Sequence, residues 1–213
     1  MQKPYTSYNP YFLVPFGTWL VAGGILLAGQ GDEAIFKFVN LHHNSFLDVF
    51  MYRATLLGEG AVITLVLLIL LGMNKLRNWW YFTAAILCNV LPSIITQVIK
   101  RSVDAPRPLK YFNEAPWIHS LPEWPRLMEH SFPSGHTCGA FGFFTFLALL
   151  LPARYRVWGL LLFVCALLVA YSRIYLAVHF MADVYVGSII GTGFTSLVVT
   201  LMNRYQSVFF KKV

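Results

Sequence analysis

Polar positions in this chain are confined to short stretches between long apolar runs. A helix that crosses a bilayer needs about 20 mostly apolar residues. Six runs qualify: 11–29, 54–72, 79–99, 137–151, 157–172 and 184–203. The fourth and fifth are short, so their outer ends are expected to continue into polar residues facing a protein interior. Pro15 lies near a helix start, where proline is tolerated, and Pro92 is expected to kink the third span. No tandem repeat or low-complexity tract is visible. The pattern predicts an all-α integral membrane protein: a six-transmembrane-helix bundle forming a single membrane-embedded domain over residues 1–213.

Composition supports the same class. Hydrophobic residues make up 57% and charged residues only 12%, against about 25% charged in soluble domains. A soluble fold and intrinsic disorder are both excluded. The formal net charge of +7 would suit nucleic acid. Basic residues scattered between apolar runs fit a membrane protein better, so the bilayer is the expected partner and nucleic acid is not. Cys88, Cys138 and Cys165 each lie inside an apolar run and form no CxxC pair. They are expected to pack as small buried hydrophobes. The first run follows one basic residue, Lys3, and has no clear small-residue cleavage site before Asp32–Glu33. It reads as a retained span and not as a signal peptide.

Charge predicts orientation. The N-terminus, the loops at 73–78 and 152–156 and the C-terminus would share one side. They hold Lys3, Lys75, Arg77, Arg154, Arg156, Arg204, Lys211 and Lys212 and no acid, while all nine acids fall elsewhere. The positive-inside rule makes that side cytoplasmic. Both termini are then cytoplasmic, and 30–53, 100–135 and 173–183 face outward.

The outward segments hold three motifs. The first is Lys100-Arg101-Ser102-Val103-Asp104-Ala105-Pro106-Arg107-Pro108. Prolines restrict the backbone around Arg107. A lysine point charge and an arginine fork suit a phosphate, although a basic juxtamembrane stretch can equally meet lipid headgroups. The second is Pro133-Ser134-Gly135-His136 at the start of the fourth span. Ser134 is a good N-cap, Gly135 allows close approach to the backbone, and free helix-end amides form an anion site. The bland alternative is an ordinary capped helix with an interfacial histidine.

The third motif runs from Ser172 and Arg173 to His179 and Asp183. Four residues separate the histidine from the acid, so one helical turn stacks them. A carboxylate on one imidazole nitrogen fixes the tautomer and leaves the other nitrogen as a nucleophile; a surface ion pair is the plainer alternative. Spans alternate in direction, so Lys100, Ser134, Arg173 and His179 all emerge on one face. Together they are the parts for phosphoryl transfer, where catalysis is mostly positioning and charge stabilisation.

The pattern K-x6-RP, PSGH and SR-x5-H-x3-D resembles the signature of the type 2 phosphatidic acid phosphatase superfamily, whose membrane members are six-span lipid phosphatases. The likeness covers about residues 54–203 and fills every signature position. It implies that His179 is the nucleophile that forms a phosphohistidine, with Asp183 orienting it. It implies that His136 is the general acid, and that Lys100, Arg107, Ser134, Gly135 and Arg173 line the phosphate pocket. It implies no cofactor and no metal. His179 must be neutral to attack and His136 charged to donate, so activity is expected to fall on both sides of an optimum.

The substrate implied is a lipid phosphate or diphosphate reached from the outer, periplasmic face of a bacterial inner membrane. Undecaprenyl diphosphate and lipid A are favoured over phosphatidylglycerophosphate and phosphatidic acid, and no protein partner is expected. Three rivals are a phosphotransferase using the same phosphohistidine, a vanadate-dependent haloperoxidase, and a lipid transporter with a dead site. Six apolar spans oppose the second, and the intact His136, His179 and Asp183 oppose the third.

Outside the signature, Glu59 lies between two glycines near the outer end of the second span. It either hydrogen-bonds a motif residue such as Lys100 or Arg107, as a supporting group, or sits at the headgroup level. Asp104 and Arg101 read as local structure. The aromatic segment 109–132 is either a lid, with His119, Arg126 or His130 choosing the substrate, or an aromatic belt at the membrane surface. His42 and His43 receive no role.

Overall fold

The computed structural model describes residues 8–74, 76–122 and 124–206. Lys3, Lys75, Lys211 and Lys212 of the orientation argument lie outside these residues. Among the described residues the regular structure is entirely helical: α1 (Pro10–Leu41), α2 (Ser45–Thr55), α3 (Gly60–Leu71), α4 (Trp79–Val103), α5 (Pro108–Tyr111), α6 (Gly135–Leu150), α7 (Gly159–Tyr175) and α8 (Met181–Arg204). Four stretches are long and apolar enough to cross a membrane, five if the bent pair of α2 and α3 counts as one.

Two elements differ from the sequence expectation, and the fourth span is short, as its apolar run indicated. The first apolar run does not stop at Gly29: α1 continues to Leu41, with its only non-helical angles at Gly31, where φ is 75°. Glycine occupies that left-handed conformation without the Cβ penalty. Much of 30–53, expected as an outward loop, is therefore helix. The second run is not one straight span. Its helix breaks at Glu59, and the pieces on either side meet at 57°. The 16 residues of α6 rise only about 24 Å, short of a hydrocarbon core of about 30 Å.

Pro92, expected to kink the third span, lies inside α4, which runs as one helix through it. Proline donates no hydrogen bond to the carbonyl four residues earlier. That carbonyl, on Cys88, accepts instead from the Thr195 hydroxyl of α8 at 3.3 Å.

The bundle is built around α6. Gly187 and Gly191 of α8 pass against its backbone. A Cβ at Gly187 would stand 2.7 Å from the Ser134 carbonyl oxygen, and one at Gly191 would overlap the Cys138 carbonyl. Small residues one turn apart allow this approach in lipid, where dispersion and not water exclusion holds helices together. Phe12 and Phe16 of α1, Phe141 of α6 and Phe163 of α7 fill the neighbouring core. Asn9 caps α1 through Tyr11 N and donates to the Ala148 carbonyl, anchoring the start of α1 at the end of α6 far from Ser134. The α6–α8 contact also joins the third and second motifs, since Ser134 N donates to the Asp183 carbonyl at 3.0 Å.

Candidate active site

Residues far apart along the chain meet at the end of the bundle where α6 and α8 begin. The turn between α7 and α8 wraps the Arg173 carbonyl, which accepts from both Val178 N and His179 N. Ala177 takes a left-handed φ of 56° to make this turn, a conformation that costs an alanine roughly 1–2 kcal/mol. Full burial of Ala177 and its neighbours holds it there.

His179 is 1% exposed. Its Nδ1 lies 3.1 Å from Asp183 Oδ2, and its Nε2 lies 3.4 Å from Arg107 Nη1. The Asp183 carboxylate also accepts from Phe180 N at 2.9 Å, which fixes it at the head of α8. With Nδ1–H directed to Asp183, Nε2 carries the lone pair. Burial holds the imidazole well below the ordinary histidine value of 6.5, and Arg107, Arg173, Lys100 and His136 around it push the same way.

Three cations surround this nitrogen, and the fold holds each of them. Lys100 donates to the His130 and Ser131 carbonyls at 2.6 and 3.1 Å. An ammonium has three donors, so one remains. Arg107 is framed by the Glu129 carbonyl at 2.7 Å and the Val178 carbonyl at 3.1 Å. Arg173 is buried, bonded to the Thr55 hydroxyl at 2.6 Å and covered by the Trp124 ring at 5.1 Å, with its Nε buried and unpaired. Ser134 caps α6 through Thr137 N at 3.4 Å. A Cβ on Gly135 would meet nothing within 4 Å, so open space lies beside the start of α6. Fixed cations beside a helix N-terminus form an anion cradle.

Glu59 bonds neither Lys100 nor Arg107. Its carboxylate lies 2.8 Å from His136 Nε2. The break between α2 and α3 brings it there: Gly58 passes so close to α6 that a Cβ would stand 2.9 Å from the His136 carbonyl. Three residues absent from the sequence motifs also hold the site. Ser131 donates to Asp183 Oδ2 and stands 3.3 Å from His179 Nδ1. Thr55 holds Arg173. Asp32 of α1 accepts from Ala182 N at 2.8 Å, fastening the first turn of α8. An acid ending an apolar run was a visible signal for Asp32; no spacing singled out Ser131 or Thr55.

The 109–132 segment folds over the protein. Phe112 packs on Phe36 and Trp117, and Trp124 covers Arg173. His119 is bound to Asp48 at 2.7 Å and stacks on His43 at 3.7 Å, Arg126 pairs with Glu114, and His130 pairs with Asp104 at 3.0 Å. The three residues considered for substrate choice thus fasten the segment itself, and His43 has a structural place. Among the described residues no group of three or more His, Cys, Asp or Glu side chains is arranged to hold a metal ion.

Known proteins resemble this chain in sequence and fold. Phosphatidylglycerophosphatase B of Bacillus subtilis is 30% identical over 193 residues, 86% of this chain and 90% of that protein. Undecaprenyl-diphosphatase BcrC of the same organism is 32% identical over 162 residues, 73% and 76% of the two chains. The crystal structure of LpxE from Aquifex aeolicus superposes with a TM-score of 0.62 at 28% identity, covering 79% of this chain and 94% of that one. The PAP2 superfamily pattern matches residues 77–207, and the chain belongs to that superfamily of membrane lipid phosphatases.

Proposed function

We propose that this protein hydrolyses a lipid phosphate or diphosphate through a phosphohistidine at His179. The observation that carries the reading is the His179 ring, with Nδ1 tied to Asp183 and Nε2 aimed at Arg107. The substrate phosphoryl group lies among Lys100, Arg107, Arg173, the Ser134 hydroxyl and the amide at Gly135. The Nε2 lone pair forms the P–N bond as the P–O bond to the lipid breaks. His136, held by Glu59, gives its proton to the departing oxygen. Asp183 stabilises the charge that appears on the His179 ring. Water then attacks phosphorus, its proton passes to His136, the P–N electron pair returns to Nε2, and inorganic phosphate leaves. Three fixed side-chain cations neutralise the phosphoryl oxygens, and no metal takes part.

The protein works as one domain over 1–213 with six crossings, α3 and α6 being the short ones and both termini cytoplasmic. The site faces the periplasm or cell exterior of a bacterial inner membrane. Undecaprenyl diphosphate or lipid A is the favoured substrate class. The relative named for undecaprenyl diphosphate supports the first, while the one named for phosphatidylglycerophosphate keeps that lipid and phosphatidic acid as the alternative.

The test is phosphate release by the purified protein from a panel of phospholipid monophosphates, isoprenoid diphosphates and lipid A, with and without chelator. Free inorganic phosphate is expected, at a rate that chelator leaves unchanged. His179→Ala, with the fold intact, is expected to lose at least about 10⁴-fold in turnover. Substantial residual turnover overturns the nucleophile assignment. Phosphate found only on a second lipid makes the enzyme a transferase.

A further inference from the structure

A groove of about 650 Å³ runs along α3 and α4 to the head of α6, where His136 and Gly135 line it. His179 is not among its lining residues, so the groove opens on the acid side of the cradle. If His136 protonates the departing oxygen, as proposed above, the groove receives the part of the substrate that leaves.

Its α4 wall carries Gln97 and Arg101, one helical turn apart. The cradle cations face the phosphoryl group on His179, and two further cations at this end are tied to acids. Lys100, Arg107 and Arg173 hold carbonyls or a hydroxyl, and Lys110 and Arg126 hold carboxylates. Arg101 and Gln97 are exposed, and among the described residues no group bonds either side chain. A guanidinium is matched to phosphate geometry through paired donors. Farther along the groove come Ser93, Asn89 and the apolar side chains Val90 and Ile94, a lining suited to a lipid tail.

We propose that Arg101, assisted by Gln97, binds a second phosphoryl group on the leaving part of the substrate, and so selects a lipid diphosphate over a monophosphate of the same tail. In that reaction the bond between the β-phosphorus and the bridging oxygen breaks. The bridging oxygen departs with the α-phosphate, which stays against Arg101 beside His136. The attacked β-phosphoryl group remains in the cradle on His179. Arg101 is a specificity residue and takes no part in bond making.

The same guanidinium chemistry fits a bystander phospholipid headgroup, and the experiment separates the two. The purified full-length protein and Arg101→Gln are assayed with farnesyl diphosphate and farnesyl monophosphate, in neutral detergent and in micelles containing anionic phospholipid. Arg101→Gln is expected to lower kcat/KM for the diphosphate about 10- to 100-fold. The monophosphate is expected to stay within about 3-fold, and Arg101→Lys to recover part of the preference. A proportional fall for both substrates, no change for either, or an effect seen only with anionic lipid overturns the assignment. Binding of the two ligands is also measured in a His179→Ala background, where no turnover is needed. Equal affinities with and without Arg101 sink the specificity claim. Failure of the unaltered protein to release phosphate from any lipid sinks the phosphatase reading instead.

Discussion

The two histidines at the site carry opposite protonation demands, although burial, Arg107 and Arg173 act on both rings. His179 is buried among three cations and held well below 6.5. A lowered value means the neutral form prevails above it, so the nucleophile is ready through the neutral range and is lost only as pH falls through the lowered value. His136 faces the Glu59 carboxylate, and the dianionic phosphate of a bound substrate adds to that pull; together they must outweigh burial and Arg173 for the ring to carry a proton. The rate should therefore fall again as pH rises and His136 loses that proton. We expect a bell-shaped profile of kcat, which reports the substrate complex, with its acid limb below about pH 6.5. His136→Asn should lower kcat about 10²- to 10⁴-fold, remove the alkaline limb and leave the acid limb in place. The loss should be smaller on a diphosphate, whose departing phosphate has a pKa of about 6, than on an ester releasing an alkoxide. A flat profile between about pH 5 and 9 with chemistry rate-limiting contradicts this account. Signature residues were legible because their chemistry dictates residue type and spacing. The partner of Glu59 was not, because it depends on a helix break that no breaker stronger than two glycines announces.

At the scale of elements, one glycine pair decides whether the cradle assembles. Lys100 comes from the last turn of α4, Arg107 from the start of α5, Ser134 from the head of α6, and Asp183 from the head of α8. The α6–α8 approach sets the relation between the last two. Gly191→Ala drives a methyl group into the Cys138 carbonyl. Overpacking typically costs about 1–3 kcal/mol, and a clash with backbone belongs at the upper end. At about 2–4 °C per kcal/mol for a chain of this size, the melting temperature in detergent should fall by roughly 6–12 °C, with activity falling alongside it. Gly193→Ala is the control: a Cβ there meets nothing within 4 Å, so its melting temperature should stay level or rise slightly. Helix propensity favours alanine over glycine at both positions, so equal losses in both variants would show that the close approach at Gly191 is not what decides stability. The long apolar runs made the helices legible, since a continuous run needs no tertiary information. The break at Glu59 was hidden because apolar residues continue on both sides of it, and only the packing of Gly58 on α6 gives it a purpose. At Gly31 the apolar run did end, and what hydropathy could not show was that α1 continues to Leu41.

For the whole molecule, charge divides the two ends more sharply than the loop tally suggested. Each of the eight described acids is engaged with a group at the site end: Asp32 with Ala182, Glu33 with Tyr111, Asp48 with His119, Glu59 with His136, Asp104 with His130, Glu114 with Arg126, Glu129 with Lys110 and Asp183 with Ser131. The acids therefore have a physical reason to gather there: they fasten the segments that build the cradle. At the far end the described cations Arg77, Arg154, Arg156 and Arg204 have no acid near them in sequence. Unneutralised arginines in short loops are what the positive-inside rule retains on the cytoplasmic side, so the cradle should face outward. Two exposed positions test this, Val157 at the far end and Leu127 at the site end. In a chain whose own three cysteines are replaced, Leu127→Cys should react with a membrane-impermeant maleimide on intact cells. Val157→Cys should react only after permeabilisation. The reverse pattern would put the cradle inside, and labelling of both positions on intact cells would mean that the far-end arginines do not set the orientation.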